Sequence, residues 1–273
     1  MFNLKKLLTR VAPGVLIIMM STTSTQAAII NLGFSLDESG SVGSSNFNLT
    51  RDALADALAI IPTTGTNQYR LAVTTFSSIV TQVIAPTIVS AANIGALQTQ
   101  LKATAYSGGG TATHSAISNL ASLFSGFNTD LTLFNITTDG SPNSQSSAEG
   151  AALFAFNDYV DGISFEAVGG GINNTFALNN MARIAGLGTS GDATAGVVLA
   201  SGDAIPDAAQ TGFVIPVLTF ADYEDAIKAK ITQIVVDTTP GGSTPVPAPS
   251  AVSLLALGFA VMFARRAKKM SNY

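Results

Sequence analysis

The run Ile29-Ile-Asn-Leu-Gly-Phe-Ser-Leu-Asp-Glu-Ser-Gly-Ser41 decides how the chain is read. Its first half is apolar and opens on β-branched residues, the pattern of a buried strand. Its second half breaks into Asp37-x-Ser39-x-Ser41, followed by Gly43. A carboxylate and two hydroxyls at alternate positions, just past a strand end, suit a hard cation that prefers oxygen ligands. The stretch therefore reads as a strand feeding the first loop of a metal site, and the flanking sequence is searched for what completes it.

Downstream, Ser44 or Ser45 is placed to cap a helix running to about Ile61, with Phe47, Leu54, Leu58 and Ile61 on one face. Tyr69–Phe76 and Ile79–Ile84 read as two strands joined by Ser77-Ser78, and Ala91–Leu101 as a weaker helix. A glycine loop, Ser107-Gly-Gly-Gly-Thr-Ala-Thr113, precedes a helix carrying Ile117, Leu120 and Phe124 inward. Its glycines permit close backbone approach, and its threonines are candidate helix caps. A buried strand over 130–138 then ends in Asp139-Gly140-Ser141. A helix over 147–160, a strand over 163–168 running into Gly169-Gly170-Gly171, and a short helix over 176–184 follow. Residues 189–211 form a Gly/Ala/Asp-rich insert whose apolar Val197–Ala200 suggests a hairpin. Gly212–Phe220 is the last strand, which Pro216 assigns to a sheet edge. Ala221–Val236 is the last helix, with Tyr223, Ile227, Ile231 and Ile234 inward. Strands alternating with helices predict an α/β fold, with an open, mostly parallel sheet and helices on both faces.

The ends have a different character. Residues 1–27 combine Lys5, Lys6 and Arg10 with an apolar Val15–Met20 and a polar close at Thr25-Gln-Ala27, the layout of a secretory signal peptide. Pro13-Gly14 argues against an N-terminal helix of the fold. Residues 239–248 form a Pro/Gly/Ser/Thr-rich linker. Residues 249–273 hold an uncharged run, Ala251–Ala264, followed by Arg265, Arg266, Lys268 and Lys269. That run is short against the ~20 residues of a bilayer span and reads as a transient anchor with a basic stop, the alternative being a permanent single-pass anchor. A Pro-containing motif, an apolar segment and a basic cluster in this order resemble the PEP-CTERM tails that exosortases process in Gram-negative bacteria. Val246-Pro247-Ala248-Pro249 stands where Val-Pro-Glu-Pro is more usual. This resemblance implies an exported protein at the surface of, or outside, such a cell, with an exosortase as processing partner and membrane contact only through the tail.

Between these ends lies one domain, residues 28–238. It holds six Lys and Arg against all 17 Asp and Glu, a net charge near −11. Such a surface repels nucleic acid and anionic membranes but tolerates divalent cations. The absence of cysteine excludes disulfides, thiolate metal sites and a Cys nucleophile.

Ligands of an open α/β sheet gather beyond the carboxyl ends of its strands. Asp37, Ser39 and Ser41 follow the first strand, Asp139 follows the strand over 130–138, and Thr111 lies in the glycine loop before a helix. Converging there, they bring two carboxylates, three hydroxyls and no soft ligand, which favours Mg²⁺ over zinc or copper, with Mn²⁺ or Ca²⁺ as alternatives. Two carboxylates leave octahedral positions unfilled, and an open one suits a carboxylate from a partner.

Asp37-x-Ser39-x-Ser41, then Gly109-Gly110-Thr111-x-Thr113, then a strand ending in Asp139-Gly140, resembles the metal-ion-dependent adhesion site of von Willebrand factor A domains. The resemblance implies that Ser39, Ser41 and Thr111 approach the metal directly, and Asp37 and Asp139 directly or through water. It implies adhesion to an extracellular protein or glycan through an acidic group, without catalysis. Glu38 falls at a variable position of the motif and carries no role. Each residue also has a structural reading: turn carboxylates for Asp37 and Asp139, helix-entry hydroxyls for Ser39 and Ser41, a cap for Thr111. A structural matrix component, its metal merely tying the loops, is a second functional expectation. A hydrolase is a third; it would depend on His114, the single histidine, yet no Gly-x-Ser-x-Gly elbow is present. Nor does the glycine run carry the Lys of a phosphate loop.

Overall fold

A computed structural model describes residues 28–127, 131–169 and 174–239. The signal segment, the tail and all of the linker beyond Thr239 lie outside the described residues, as do Asp130, Gly170 and Gly171. Among the described residues no helix is long and apolar enough to cross a membrane.

The opening stretch forms β1 (Ile29–Asp37), an interior strand of the sheet with parallel neighbours on both sides. Parallel neighbours flank it: β2 (Gln68–Phe76) on one side and β4 (Leu131–Thr138) on the other. Beyond β2 lies the antiparallel edge strand β3 (Val80–Ile88). Beyond β4 come β5 (Gly162–Val168), β7 (Phe213–Val217) and the two-residue β6 (Val197–Val198), all parallel. The order β3-β2-β1-β4-β5-β7-β6 is the predicted mostly parallel sheet.

Helices cover both faces, as predicted. Even-numbered β1 residues Ile30, Leu32, Phe34 and Leu36 join one core with α1 (Gly43–Ala57), α2 (Ile94–Lys102) and α6 (Tyr223–Thr238). Each is at most 2% exposed, and burying such a side chain contributes about 1.5–3 kcal/mol. The opposite core joins Phe134, Ile136, Ile163 and Phe165 to α3 (Thr113–Phe124), α4 (Gln145–Asp158) and α5 (Thr175–Ser190). On that face β1 offers only Asn31, Gly33 and Ser35. A Cβ at Gly33 would lie 2.9 Å from the Phe134 ring and 3.2 Å from Leu120 and Phe124, so its absence lets α3 settle onto the sheet.

Several local expectations are corrected. Helix α1 begins at Gly43 with no side-chain cap, so Ser44 and Ser45 sit inside its first turn. No side chain caps α3 either, so Thr111 and Thr113 do not act as caps. The helix expected over 176–184 runs on to Ser190, where Gly191 ends it at φ +72°. Val197–Ala200 makes no hairpin; Val197 and Val198 extend the sheet beside β7. Pro216 explains their brevity. Val197 N donates to Gly212 O and Leu199 N to Val214 O. The next return donor in that ladder would be residue 216, and proline has no N–H. Thus β7 is second from the edge, with its outer flank paired only at its start.

One feature of α6 has no counterpart in the expected pattern. Lys230 is 1% exposed and bonds Glu166 of β5, itself fully buried, at 2.8 Å. Asn135 of β4 donates to the same carboxylate oxygen at 3.2 Å. Tyr223, at the start of α6, shares a 2.9 Å hydrogen bond with Thr137 of β4. The last helix is therefore tied to the central strand β4 and to its neighbour β5 by polar as well as apolar contacts.

Candidate functional site

The sheet register gathers the expected residues at one edge. Asp37 pairs with Phe76, Leu36 with Thr137, Thr138 with Ala167, and Ala167 with Pro216. The segments just beyond these positions all emerge at the carboxyl ends of the parallel strands: Ser39–Ser41, Ser77–Ile79, Asp139–Ser141 and Leu218.

At that edge four of the five named residues form one hydrogen-bonded chain. Asp37 Oδ1 accepts from Ser39 N at 2.7 Å, and Oδ2 accepts from Thr138 Oγ1 at 2.6 Å. Ser39 Oγ lies 3.0 Å from Ser41 Oγ, which donates to Asp139 Oδ1 at 2.9 Å. Residues 98 positions apart are thereby joined through side chains alone. Thr111 arrives by backbone contacts: its carbonyl accepts from Asn143 N at 2.9 Å, and Ala112 N donates to Ser77 O at 2.9 Å. Its hydroxyl makes no hydrogen bond among the described residues, though the residue is only 8% exposed. Gly40 N donates to Gly109 O at 2.8 Å, locking the first loop to the glycine loop. Gly109 has φ +127°, and a Cβ there would stand 2.9 Å from Ser78 Oγ, so this approach requires glycine.

Electrostatics favour a cation. Asp37 is 3% exposed, and burial pushes its carboxyl up to about 6, against the hydrogen bonds from Thr138 and Ser39; the charge of Asp139 adds to the rise. Burial also raises Asp139, countered by the Ser41 hydroxyl. No lysine or arginine pairs with either carboxylate among the described residues. Nor do three or more His, Asp or Glu side chains cluster to hold a metal among them. The donor set is therefore two carboxylates and neutral hydroxyls, all oxygen, which fits a hard divalent cation and leaves it under-neutralised. Each Asp37 oxygen retains a lone pair beyond its hydrogen bond.

The turn reading of Asp37 and the site reading coexist, because its bond to Ser39 N is a local turn contact at the heart of the cluster. Three contributors escaped the motif. Thr138 orients Asp37, and Tyr106 Oη donates to Ser39 O at 3.1 Å. Glu38, 1% exposed, accepts from Thr75 Oγ1 and from Ser107 N, both at 3.1 Å, and so pins the first loop to β2 and the glycine loop. Only Thr138 has a sequence signal, its place directly before Asp139. His114 Nε2 meets the hydroxyl of its neighbour Ser115 at 3.1 Å, and its buried Nδ1 has no partner among the described residues.

The profile of the von Willebrand factor type A domain matches residues 31–200. No curated protein matches the chain. Among solved structures, a von Willebrand factor type A protein from Catenulispora acidiphila aligns with a TM-score of 0.59 at 12% identity, over 76% of this chain and 43% of that one. Proximal thread matrix protein 1 from the mussel byssus, with a zinc-occupied MIDAS motif, gives 0.55 at 17% identity, over 76% and 46%. The pilus adhesin SpaC from Lactobacillus rhamnosus GG, in an open conformation, gives 0.56 at 12% identity, over 77% and 30%. The chain spans less than half the length of these three, and at such identities the likeness is one of fold. The profile, by contrast, covers more than half of the sequence, from β1 through all three site loops, and the chain belongs to the von Willebrand factor type A domain family.

Proposed function

We propose that this protein is an exported, non-catalytic binding domain that holds one divalent cation, Mg²⁺ by preference, at its sheet edge. Asp37, Ser39, Ser41, Thr111 and Asp139 would hold the ion, directly or through water. A bound cation supplies Lewis acidity to a carboxylate of an extracellular partner. The residues themselves fix the loops and keep the charge under-neutralised. The observation that carries this reading is the hydrogen-bonded relay Thr138–Asp37–Ser39–Ser41–Asp139, with two buried carboxylates and no basic partner among the described residues. The zinc-occupied site of the byssal protein and the adhesin among the structural neighbours support it. Oxygen-only donors favour Mg²⁺, Mn²⁺ or Ca²⁺ over zinc here. The signal-like and PEP-CTERM-like ends support export from a Gram-negative cell and exosortase processing, or anchoring through the tail. Among the described residues, no acid meets His114 Nδ1 to orient it for catalysis.

Calorimetric titration of Mg²⁺ into the chain and into its Asp37→Ala and Asp139→Ala variants tests the reading. One-to-one binding lost in both variants is the expected result; no uptake by the parent protein would overturn it. A second reading, a matrix component whose metal only braces the loops, draws on the byssal neighbour. A large melting shift on chelation, with no metal-dependent retention of any partner, would favour that role.

A further inference from the structure

The polar group buried under α6 brings an amine, a carboxylate and a carboxamide together out of water. Lys230 of α6 is 1% exposed, Glu166 of β5 is fully buried and Asn135 of β4 is 4% exposed. Thr137 pairs with Glu166 in the sheet and bonds Tyr223 of α6, so Asn135, two residues earlier on β4, shares the face that α6 covers. One oxygen, Glu166 Oε1, accepts from Lys230 Nζ at 2.8 Å and from Asn135 Nδ2 at 3.2 Å. The Phe213 ring centroid lies 5.2 Å from the same Lys230 nitrogen.

Two atoms of this cluster are orphans. Asn135 Oδ1 and Glu166 Oε2 are buried and meet no hydrogen-bond partner among the described residues. Both are acceptors, and the ion pair as it stands supplies a donor to neither, a shortfall that buried polar groups rarely tolerate. Burial also lowers the Lys230 amine from its usual range, against the pull of Glu166. A neutral, desolvated lysine amine is a nucleophile, and the Asn135 carboxamide beside it is an electrophile whose leaving group is ammonia.

From this arrangement we propose that Lys230 and Asn135 join covalently through a side-chain amide, with Glu166 carrying the protons. Glu166 first takes a proton from the Lys230 ammonium. A half-turn of the Asn135 amide then presents Oδ1 to the resulting carboxylic acid, whose hydrogen bond polarises Cγ. Two donors on one carboxylate oxygen stand roughly 5 Å apart, so a shift of about 1–2 Å along the flexible lysine stem brings Nζ to the ~3–3.5 Å of near attack. The Nζ–Cγ bond forms and the Cγ–Nδ2 bond breaks. Of the three Nζ protons, one stays on Glu166, one leaves with Nδ2 as ammonia, and one remains as the new amide N–H. The step needs no oxidant or co-reactant, and it replaces two buried charges by neutral groups. Protonated Glu166 now offers the donor that Oδ1 lacked. The ion pair is the state of the chain before this bond closes. Asn135→Ala holds it there and is the background in which the energy of the pair itself is measured.

Intact mass of the full chain in denaturant tests the proposal. Expected is a mass below the value calculated from its sequence and observed termini by one ammonia. Proteolysis is expected to yield a branched peptide joining the segments around Asn135 and Lys230. Glu166→Gln keeps the shape but cannot carry the proton, and Asn135→Ala removes the electrophile. Both variants are expected at their full calculated mass and without the branched peptide. A parent chain at full calculated mass, fresh and after prolonged incubation, overturns the proposal, and does so whether or not either variant folds. A deficit that maps to another residue, as from a cyclised asparagine, or one that persists in either variant, overturns it as well.

Discussion

At the scale of single residues, Asp37 couples the site to pH. Its folded carboxyl holds a proton up to about 6, whereas the unfolded chain releases it near 3.8. The native state therefore binds more protons across that interval, and metal-free stability falls as pH rises through it, by up to about 3 kcal/mol. Above the folded value both states are ionised and the contribution is constant. Mg²⁺ requires the ionised carboxylate, so its affinity is expected to rise with pH up to about 6 and then level off. Thermal melts from pH 4 to 8 in EDTA and in Mg²⁺ check both slopes. Asp37→Asn removes the buried charge, so at pH 7 it is expected to melt higher than the parent in EDTA while losing the Mg²⁺-induced rise. Glu38 poses the converse case. Its truncation to Ala leaves Ser107 N and Thr75 Oγ1 without their buried acceptor, a loss of about 1–3 kcal/mol measurable by denaturant unfolding. The pattern Asp37-x-Ser39-x-Ser41 was legible in sequence as a candidate site because its spacing is itself chemical. Glu38 was not, because nothing in a one-dimensional spacing says that Thr75 and Ser107 will close around it.

At the scale of elements, legibility followed periodicity. The inward faces of α1, α3 and α6 were readable because apolar residues recur every three or four positions, and Phe47, Leu54, Ile117, Leu120, Tyr223, Ile227 and Ile231 are all fully buried. Lys230 sits on the same inward face of α6, yet a lone lysine in a helix reads as solvated until β5 supplies Glu166. The ends of elements were harder, since α1 and α3 start without side-chain caps while Ser144 and Asn174 cap α4 and α5. The buried pair gives a prediction that belongs to α6. Lys230→Met strands a desolvated Glu166 and is expected to cost roughly 3–5 kcal/mol, whereas Lys230→Met with Glu166→Leu is expected to recover most of that loss. A double-mutant cycle on unfolding free energies measures the difference. Independent, additive losses would show that the pair does not act as a unit.

At the scale of the whole molecule, the candidate site and the two limits of the described domain, Ala28 and Thr239, occupy opposite edges of the sheet. Gln68 N donates to Ala28 O where β1 and β2 begin, and Thr238, the last residue of α6, bonds Tyr69 and Asn67 at that same edge. A nine-residue strand at ~3.3 Å per residue puts roughly 30 Å between this edge and the loops at Asp37 and Asp139. Thr239 therefore lies at the edge away from the candidate site, so crowding introduced at that residue starts far from the site loops. Crowding the two edges must then have unequal effects. A globular fusion placed before Ala28 or after Thr239 is expected to leave Mg²⁺ affinity unchanged, because neither junction touches a site loop. A short Gly/Ser insertion between Ser141 and Pro142 lengthens the loop that hangs Asp139 between β4 and the Asn143–Thr111 contact. It is expected to lower Mg²⁺ affinity at least about tenfold while leaving most of the melting temperature intact, since both cores lie below that loop. Calorimetry and thermal melts on the three proteins check this. Equal losses from the fusions and the insertion would mean that the two edges are coupled and that the sheet does not isolate the site from the far edge.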